Sequence, residues 1–353
     1  HLPQGFTLMQ RWGLVILSLV TLVSVIAATQ QVLRVINRTT ITNTQPTPTP
    51  VTPPTTIPTI AITPSATVAP ATATPQADTP TPTLPATATP FPTPQGFVAY
   101  RLKEGDTLPL IAQAAGSTPA FISAYNRFSG DPAPLRPLII PQLDARQSTL
   151  VSQAILVQRG ANRPAVALTF DAGASSTPTT AILDTLAARN IHVTFFLTGS
   201  WIRNNPDLTR RIVADGHEIA NHSTTHPDFT TIDDVQIQQE LRDMATALKE
   251  ATNTEPAPFF RPPYGAYNEQ VLRTVIANGY LPIFWTLDSL DSVGEPKTAQ
   301  FLVDRLTNTL SPTQINGAIL LVHCGSQATA DALPAILDEF TRRSIIVTTL
   351  SQV

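Results

Sequence analysis

The chain has 353 residues, enough for two domains or for one large domain with attachments. A formal net charge of −3 leaves no basic excess for nucleic acid, and the single cysteine, Cys324, excludes an internal disulfide framework. Hydrophobic residues make up 42% of the whole, but they are spread so unevenly that each segment must be read separately.

Residues 1–38 carry an apolar run from Gly13 to Ala28, broken only by Ser18, Thr21 and Ser24 and preceded by Arg11 and Trp12. A helix that spans a bilayer needs about 20 such residues, which the run reaches only by continuing through Val32 or Leu33. The alternative is a secretory signal cleaved near Val25-Ile26-Ala27. Arg11 on one side and Arg34 and Arg38 on the other do not fix an orientation by charge. Either reading exports the remainder: membrane-anchored at the cell surface if the segment stays, secreted if it is removed.

Residues 39–96 are Thr, Pro, Ala and small apolar residues with Asp78 as their only charge, and 15 of the 34 prolines fall between Pro46 and Pro94. Such a stretch cannot bury a core and favours extended polyproline II, so it reads as a disordered tether.

Alternation over Val98–Leu102 predicts a strand, and Gly105-Asp106-Thr107 a turn that caps a helix over 108–115, ended by Gly116. Pro119 opens a second helix through Tyr125, and Leu138-Ile139-Ile140 closes the unit as a strand. This βααβ unit occupies residues 97–142, and a polar connector runs from 143 to 162. From residue 163 to the last, strands alternate with helices. Strands are expected at 165–170, 193–197, 218–220, 259–260, 281–286, 318–322 and 345–349. Helices are expected at 179–189, 207–214, 233–252, 268–278, 298–310 and 329–343. Repeated β/α units imply a parallel α/β sheet or barrel, whose active groups gather on loops after the carboxyl ends of the strands.

The polar motifs fall at those ends. Asp171 follows the first strand of the repeat, His222 and His226 follow a short third one, and Arg261-Pro262-Pro263-Tyr264-Gly265 follows Phe259-Phe260. Asp288 and Asp291 follow Phe284-Trp285-Thr286, and His323 ends Ile319–Val322. Two imidazoles four apart face one cation if their segment makes a helical turn. Ser223 stands where the His-Glu-x-x-His motif carries its base, so a base must come from another loop. A carboxylate such as Asp171 can take a proton from water, and Arg261 would keep it ionised. The Tyr264 N–H, stiffened by two prolines, is a candidate oxyanion donor, and His323 paired with Asp291 a candidate acid. His217 reads as a satisfied loop histidine, His192 as exposed and Cys324 as a small buried side chain rather than a nucleophile.

The ordered motifs from about Arg163 to Val353, with Gly216-His217-Glu218-Ile219 ahead of Asn221-His222, resemble the polysaccharide deacetylases, the family 4 carbohydrate esterases. The resemblance implies an irregular (β/α) barrel of about seven strands and metal-dependent hydrolysis of N-acetyl groups on amino sugars. It implies His222 and His226 as ligands of a divalent metal (zinc, cobalt or manganese), Asp171 as base, His323 as acid, and Arg261 and Asp291 as tuning residues. Trp285 and Leu321 would line the acetyl pocket. The family motif has a second aspartate, a metal ligand, where this chain has Ala172; water, Asp171 or another carboxylate, such as Asp228 or Asp288, would have to substitute. Ser292 stands where tryptophan is usual.

Tyr100-x-x-x-x-Gly105-Asp106-Thr107-Leu108, Asn126 and Ile139-Ile140-Pro141 resemble the LysM module. That likeness implies binding of N-acetylglucosamine-containing glycan through Gly105, Asp106, Thr107 and the 130–135 stretch, although Arg127–Pro132 departs from the pattern. The combined expectation is a tethered, exported deacetylase acting on peptidoglycan. Deacetylation of chitin oligomers or an exopolysaccharide is the enzymatic alternative, and a catalytically silent wall-binding protein the alternative of another class.

Overall fold

The structure, a computed structural model, describes residues 92–173 and 175–353. The apolar N-terminal run and nearly all of the Pro/Thr-rich stretch lie outside the described residues. Among those that are described, no helix is long and apolar enough to cross a membrane.

The small unit forms as its sequence predicts. Strand β1 (Gly96–Arg101) pairs antiparallel with β2 (Pro137–Gln142), from Gly96 opposite Gln142 to Arg101 opposite Pro137. Between them lie α1 (Leu108–Ala115) and α2 (Pro119–Tyr125). Helix α1 ends at Gly116, whose φ of 65° is open to glycine at little cost, and Ser117 N–H returns to the Ala112 carbonyl. The Thr118 hydroxyl accepts from Phe121 N–H and caps α2. Asn126 is buried because it is fully used: its amide donates to the Ile122 and Ile139 carbonyls and its oxygen accepts from Ile139 N–H, tying α2 to β2.

The unit is seated on the larger one. Ala99 and Ile139 belong to the same apolar cluster as Val157, Ala165, Ala167 and Ile319, with Phe97 and Tyr125 packed against it. Tyr125 Oη donates to the Gly279 carbonyl at 2.9 Å. Gly279 has φ +86°, and any Cβ there would collide with Tyr125 Oη and Phe97.

The larger unit contains β3 (Ala165–Ala172), β4 (Thr194–Leu197), β5 (Glu218–Asn221), β6 (Phe259–Phe260), β7 (Leu281–Pro282), β8 (Leu287–Asp288), β9 (Ala318–His323) and β10 (Ile346–Thr348). The order is β7-β6-β5-β4-β3-β9-β8, every pair parallel, with β10 beside the first half of β3. This is a curled parallel half-barrel of seven strands on one path, as the sequence predicts. Its outer face, including Leu168, Phe170, Leu320 and Val322, packs under α3 (Thr179–Ala187), α4 (Gly199–Asn204), α5 (Pro206–Ala214), α6 (Asp234–Thr252), α8 (Ala299–Asn308) and α9 (Gln327–Arg342), while α7 (Glu269–Ala277) packs with Phe260 in a separate cluster. By alternation along β3 and β9, Thr169, Asp171, Leu321 and His323 face inward.

Three local expectations change. Strand β3 runs two residues further, through Asp171 and Ala172, because Phe196 and Leu197 on one side and His323 on the other continue its ladder. The strand expected at 281–286 is divided. After Pro282 the chain leaves β6; Phe284 N–H turns to the Val157 carbonyl and Thr286 N–H to that of Ile319, so β8 resumes beside β9. The connector is therefore structural: Val157 bridges Ile283 and Arg159 bridges Ala318, filling the seam at the strand starts. A short helix, α4, also precedes the one expected at 207–214, separated from α5 by Asn205.

Candidate active site

Asp171, near the inner end of β3, is the centre of the cluster. Its Oδ1 accepts from Arg261 Nη1 at 2.6 Å, and its Oδ2 lies 3.6 Å from His222 Nε2. Arg261, placed by the step from β6 to the Pro262-Pro263 pair, is fully buried. Its guanidinium carbon lies 4.1 Å from the centre of the Phe196 ring, and its Nε and Nη2 have no partner. Burial lowers the Arg261 pKa, opposed by the charge and hydrogen bond of Asp171.

The helical turn expected for His222–His226 does not form. Ser223 (φ 68°) and His226 (φ 64°) are left-handed, so the imidazoles meet across a loop, with ring centres 4.8 Å apart. Glu240 on α6 holds that loop: its carboxylate accepts from the backbone N–H of Thr224 and Thr225 and from the Thr225 hydroxyl. Ser223 Oγ accepts from His226 N–H.

His222 Nδ1 lies 2.9 Å from the Arg261 carbonyl. Since a carbonyl only accepts, Nδ1 carries the proton and Nε2 a lone pair aimed toward Asp171. Burial lowers the His222 pKa to about 4, so the ring is neutral near pH 7. Burial also lowers that of His226. The site thus sets a carboxylate oxygen and an imidazole lone pair side by side, 3.6 Å apart. That donor chemistry suits a divalent cation held by His222 and His226 beside Asp171. Among the described residues, no group of three or more His, Cys, Asp or Glu is gathered to hold a metal. Ala172 packs in the apolar cluster of Phe170 on the outer face of β3. Asp228 and Asp288 do not replace the missing carboxylate: Asp228 caps the turn at Thr230, and Asp288 accepts from Leu290 N–H.

His323 stands beside Asp171 in the β3–β9 register. Its Nδ1 lies 2.7 Å from Asp291 Oδ1, while Asp291 Oδ2 accepts from His323 N–H and the Thr329 hydroxyl. Burial pulls the imidazole pKa down, but the Asp291 hydrogen bond and the charges of Asp171, Asp291 and Asp288 outweigh it and leave it raised. Asp291 is lowered: burial would raise it, and the hydrogen bonds and charge of His323 prevail.

Tyr264 sits at φ 58° with its ring packed on His226, centres 4.6 Å apart. Among the described residues no acceptor takes its N–H. Trp285 stacks on Phe284 at 3.8 Å and lies against Gly265, where a Cβ would come within 2.7 Å of its ring. Leu321, 3% exposed, is two residues below His323 on the same face.

Gly105, Asp106 and Thr107 are not brought to this cluster. They form a turn on the small unit, which packs at the strand starts, with Asp106 Oδ2 accepting from Tyr100 Oη and Lys103 N–H. Cys324 is buried, and burial pushes its thiol up to about 12, which leaves it un-ionised and not nucleophilic. His192 is exposed, as expected. His217 is less satisfied than expected: Nδ1 accepts from Val193 N–H, but its buried Nε2 has no partner. Sequence reasoning missed Glu240, Phe196 and Thr329. Each acts on the site from a helix or strand interior, where its residue type carries no motif.

A family model described as polysaccharide deacetylase matches residues 158–283. The chain is 41% identical over 167 residues to an uncharacterised 30.6 kDa protein of Geobacillus stearothermophilus, covering 47% of this chain and 62% of that protein. It is 34% identical over 160 residues to a chitooligosaccharide deacetylase of a Bradyrhizobium species (45% of this chain, 70% of the relative). It is 33% identical over 177 residues to the peptidoglycan-N-acetylmuramic acid deacetylase PdaA of Bacillus subtilis (50% and 66%). The chain therefore spans slightly less than two thirds of the Geobacillus and Bacillus relatives. Among solved structures, the pseudoenzyme BA3943 of Bacillus anthracis superposes with a TM-score of 0.53 at 26% identity, covering 57% of this chain and 69% of that one. With its barrel, its strand-end cluster and these relatives, the chain belongs to the polysaccharide deacetylase family.

Proposed function

We propose that the chain is a hydrolase that removes N-acetyl groups from amino sugars of cell-wall glycan, with peptidoglycan as the favoured substrate. The observation that carries this reading is the pair of buried electron-pair donors, His222 Nε2 and Asp171 Oδ2, 3.6 Å apart beneath His226. His222 and His226 would hold a divalent cation (zinc, cobalt or manganese), with water in the positions Ala172 does not supply. When bound, such an ion polarises an amide carbonyl and acidifies water.

The protein's own groups complete the reaction. Asp171, ion-paired to Arg261, takes the proton of the attacking water. The Tyr264 N–H donates to the developing oxyanion. His323, whose pKa is raised with the help of Asp291, gives its proton to the departing amine, so an amide and water become acetate and a free amine. Leu321 and Trp285 line the space for the acetyl methyl.

The small unit is LysM-like in this reading and engages N-acetylglucosamine glycan through Gly105, Asp106 and Thr107. The N-terminal segment holds the protein outside the cytoplasm, at the membrane or after secretion. Names of relatives support both peptidoglycan and chitin oligomers as substrates. Acetate release from N-acetylated peptidoglycan fragments and from chitin oligomers, with and without added zinc, tests the reading. Release that requires the metal and disappears in His222→Ala supports it; release unchanged in that variant refutes it.

A second reading, a silent wall-binding protein, is favoured by Ala172 and by the likeness to a pseudoenzyme. It predicts that the protein sediments with cell walls while releasing no acetate from either glycan.

A further inference from the structure

At the strand starts, away from His222, the barrel and the small unit enclose a cavity of about 750 Å³. Its floor is apolar, including Phe259, Leu281, Ile319 and Leu350. Its roof is the 128–137 segment, which contains the loop expected to meet glycan. A second hollow of about 420 Å³ shares Phe128, Ser129, Arg136 and Arg163 with the first. Small-molecule sites commonly fall between about 300 and 1,000 Å³, are lined mostly by apolar side chains, and favour junctions between structural units.

The charges around this cavity are one-sided. Arg101, Arg136, Arg159 and Arg163 line it, against one acidic side chain, Asp131. Three of these arginines hydrogen-bond to neutral carbonyls, Arg101 to Leu135, Arg136 to Ser351, and Arg159 to Gln314 and Asn316, and Arg136 also lies over the Phe128 ring. The Arg163 guanidinium makes no hydrogen bond or ion pair among the described residues. Burial lowers the Arg136 pKa and repulsion from Arg163 lowers it further, with the charge of Glu218 opposing both. Like charges gathered at the edge of an apolar hollow repel one another, and an anion placed among them relieves that cost. A neutral sugar would add no counter-charge to the arginines and would set its hydroxyls against the apolar floor.

We propose that this cavity binds a long-chain fatty acid, with the acyl chain on the apolar floor and the carboxylate between Arg136 and Arg163. Guanidinium is suited to that head group because its N–H fork matches the two oxygens of a carboxylate. The site is independent of the deacetylation chemistry, which lies at the opposite ends of the strands.

Calorimetric titration of the full chain with dodecanoate, below its micellar concentration, tests the proposal beside acetate and dodecyl maltoside. Saturable one-to-one binding of dodecanoate alone is expected. Arg163→Glu should weaken it about tenfold or more through loss and reversal of a charge-assisted contact. Arg163 and Ser129 are both exposed, so Arg163→Glu and the entrance-blocking Ser129→Trp should leave the melting temperature unchanged. Ser129→Trp should weaken binding similarly. No saturable dodecanoate binding, equal binding of the maltoside, or undiminished binding in Arg163→Glu would overturn the assignment.

Discussion

Replacing Asp171 with alanine should destabilise the fold as well as stop the chemistry, and the structure says by how much. Arg261 is fully buried, and the single hydrogen bond of its guanidinium is the 2.6 Å contact from Nη1 to Asp171. Two of its three guanidinium nitrogens lack partners, and beyond Asp171 it is stabilised by the ring of Phe196 and the charge of Asp288. Removing the carboxylate strands a cation in an apolar pocket, a change that costs about 3–5 kcal/mol. For a unit of this size each kcal/mol lowers the melting temperature by about 2–4 °C, so Asp171→Ala should melt about 6–20 °C below wild type. Asp171→Asn keeps an oxygen acceptor and should lose roughly half as much. The double variant Asp171→Leu/Arg261→Met, which removes both charges, should recover most of the loss. Differential scanning fluorimetry of the four proteins at neutral pH decides the matter. A melting temperature for Asp171→Ala within a degree of wild type would refute the claim that this ion pair is buried and uncompensated.

Three further outcomes are expected of the same protein. His323 can donate a proton only while protonated, and its raised pKa extends that state upward; activity should therefore fall as pH rises through that pKa. Asp291→Asn removes the supporting charge and should move this alkaline limb about 1–3 pH units lower, read from kcat/KM against pH. His217 is kept neutral by burial down to about pH 4, whereas the unfolded chain protonates it near 6.5. The unfolded state then holds more protons in that window, so stability falls as pH drops from about 6.5 toward 4, and His217→Asn should show a smaller drop in melting temperature over that range. Gly279→Ala adds a methyl where Tyr125 Oη and Phe97 already press, at a φ of +86°. It should cost about 2 kcal/mol or more, visible in chemical denaturation, while Tyr125→Phe should cost about 1 kcal/mol.

Much of the site was legible because strand-end motifs are local. Asp171, Arg261 and His323 each sit within a few residues of an apolar run that marks a strand, so period and position alone brought them to one rim. Their mutual geometry was less accessible. The spacing of His222 and His226 suggested a helix, but Ser223 and His226 adopt left-handed backbone that their residue types rarely favour. What holds them there is Glu240, which looks in sequence like any solvent-facing acid on an amphipathic helix. Nor did the pattern show that the connector fills a seam, since Val157 and Arg159 form isolated bridges rather than a strand. The Phe284–Thr286 step was hidden for a related reason: its apolar residues fit a continuous strand, and only the competing partners Val157 and Ile319 reveal the change of neighbour.

In the proposed reaction His222 Nε2 and His226 hold a cation beside Asp171, without a ligand at Ala172. Diffraction from crystals grown with zinc, measured on both sides of the zinc absorption edge, tests this most directly. The prediction is an anomalous peak about 2.0–2.1 Å from His222 Nε2 and from a ring nitrogen of His226. A map without density between the two imidazoles at saturating zinc, or with zinc bound only elsewhere, would contradict it.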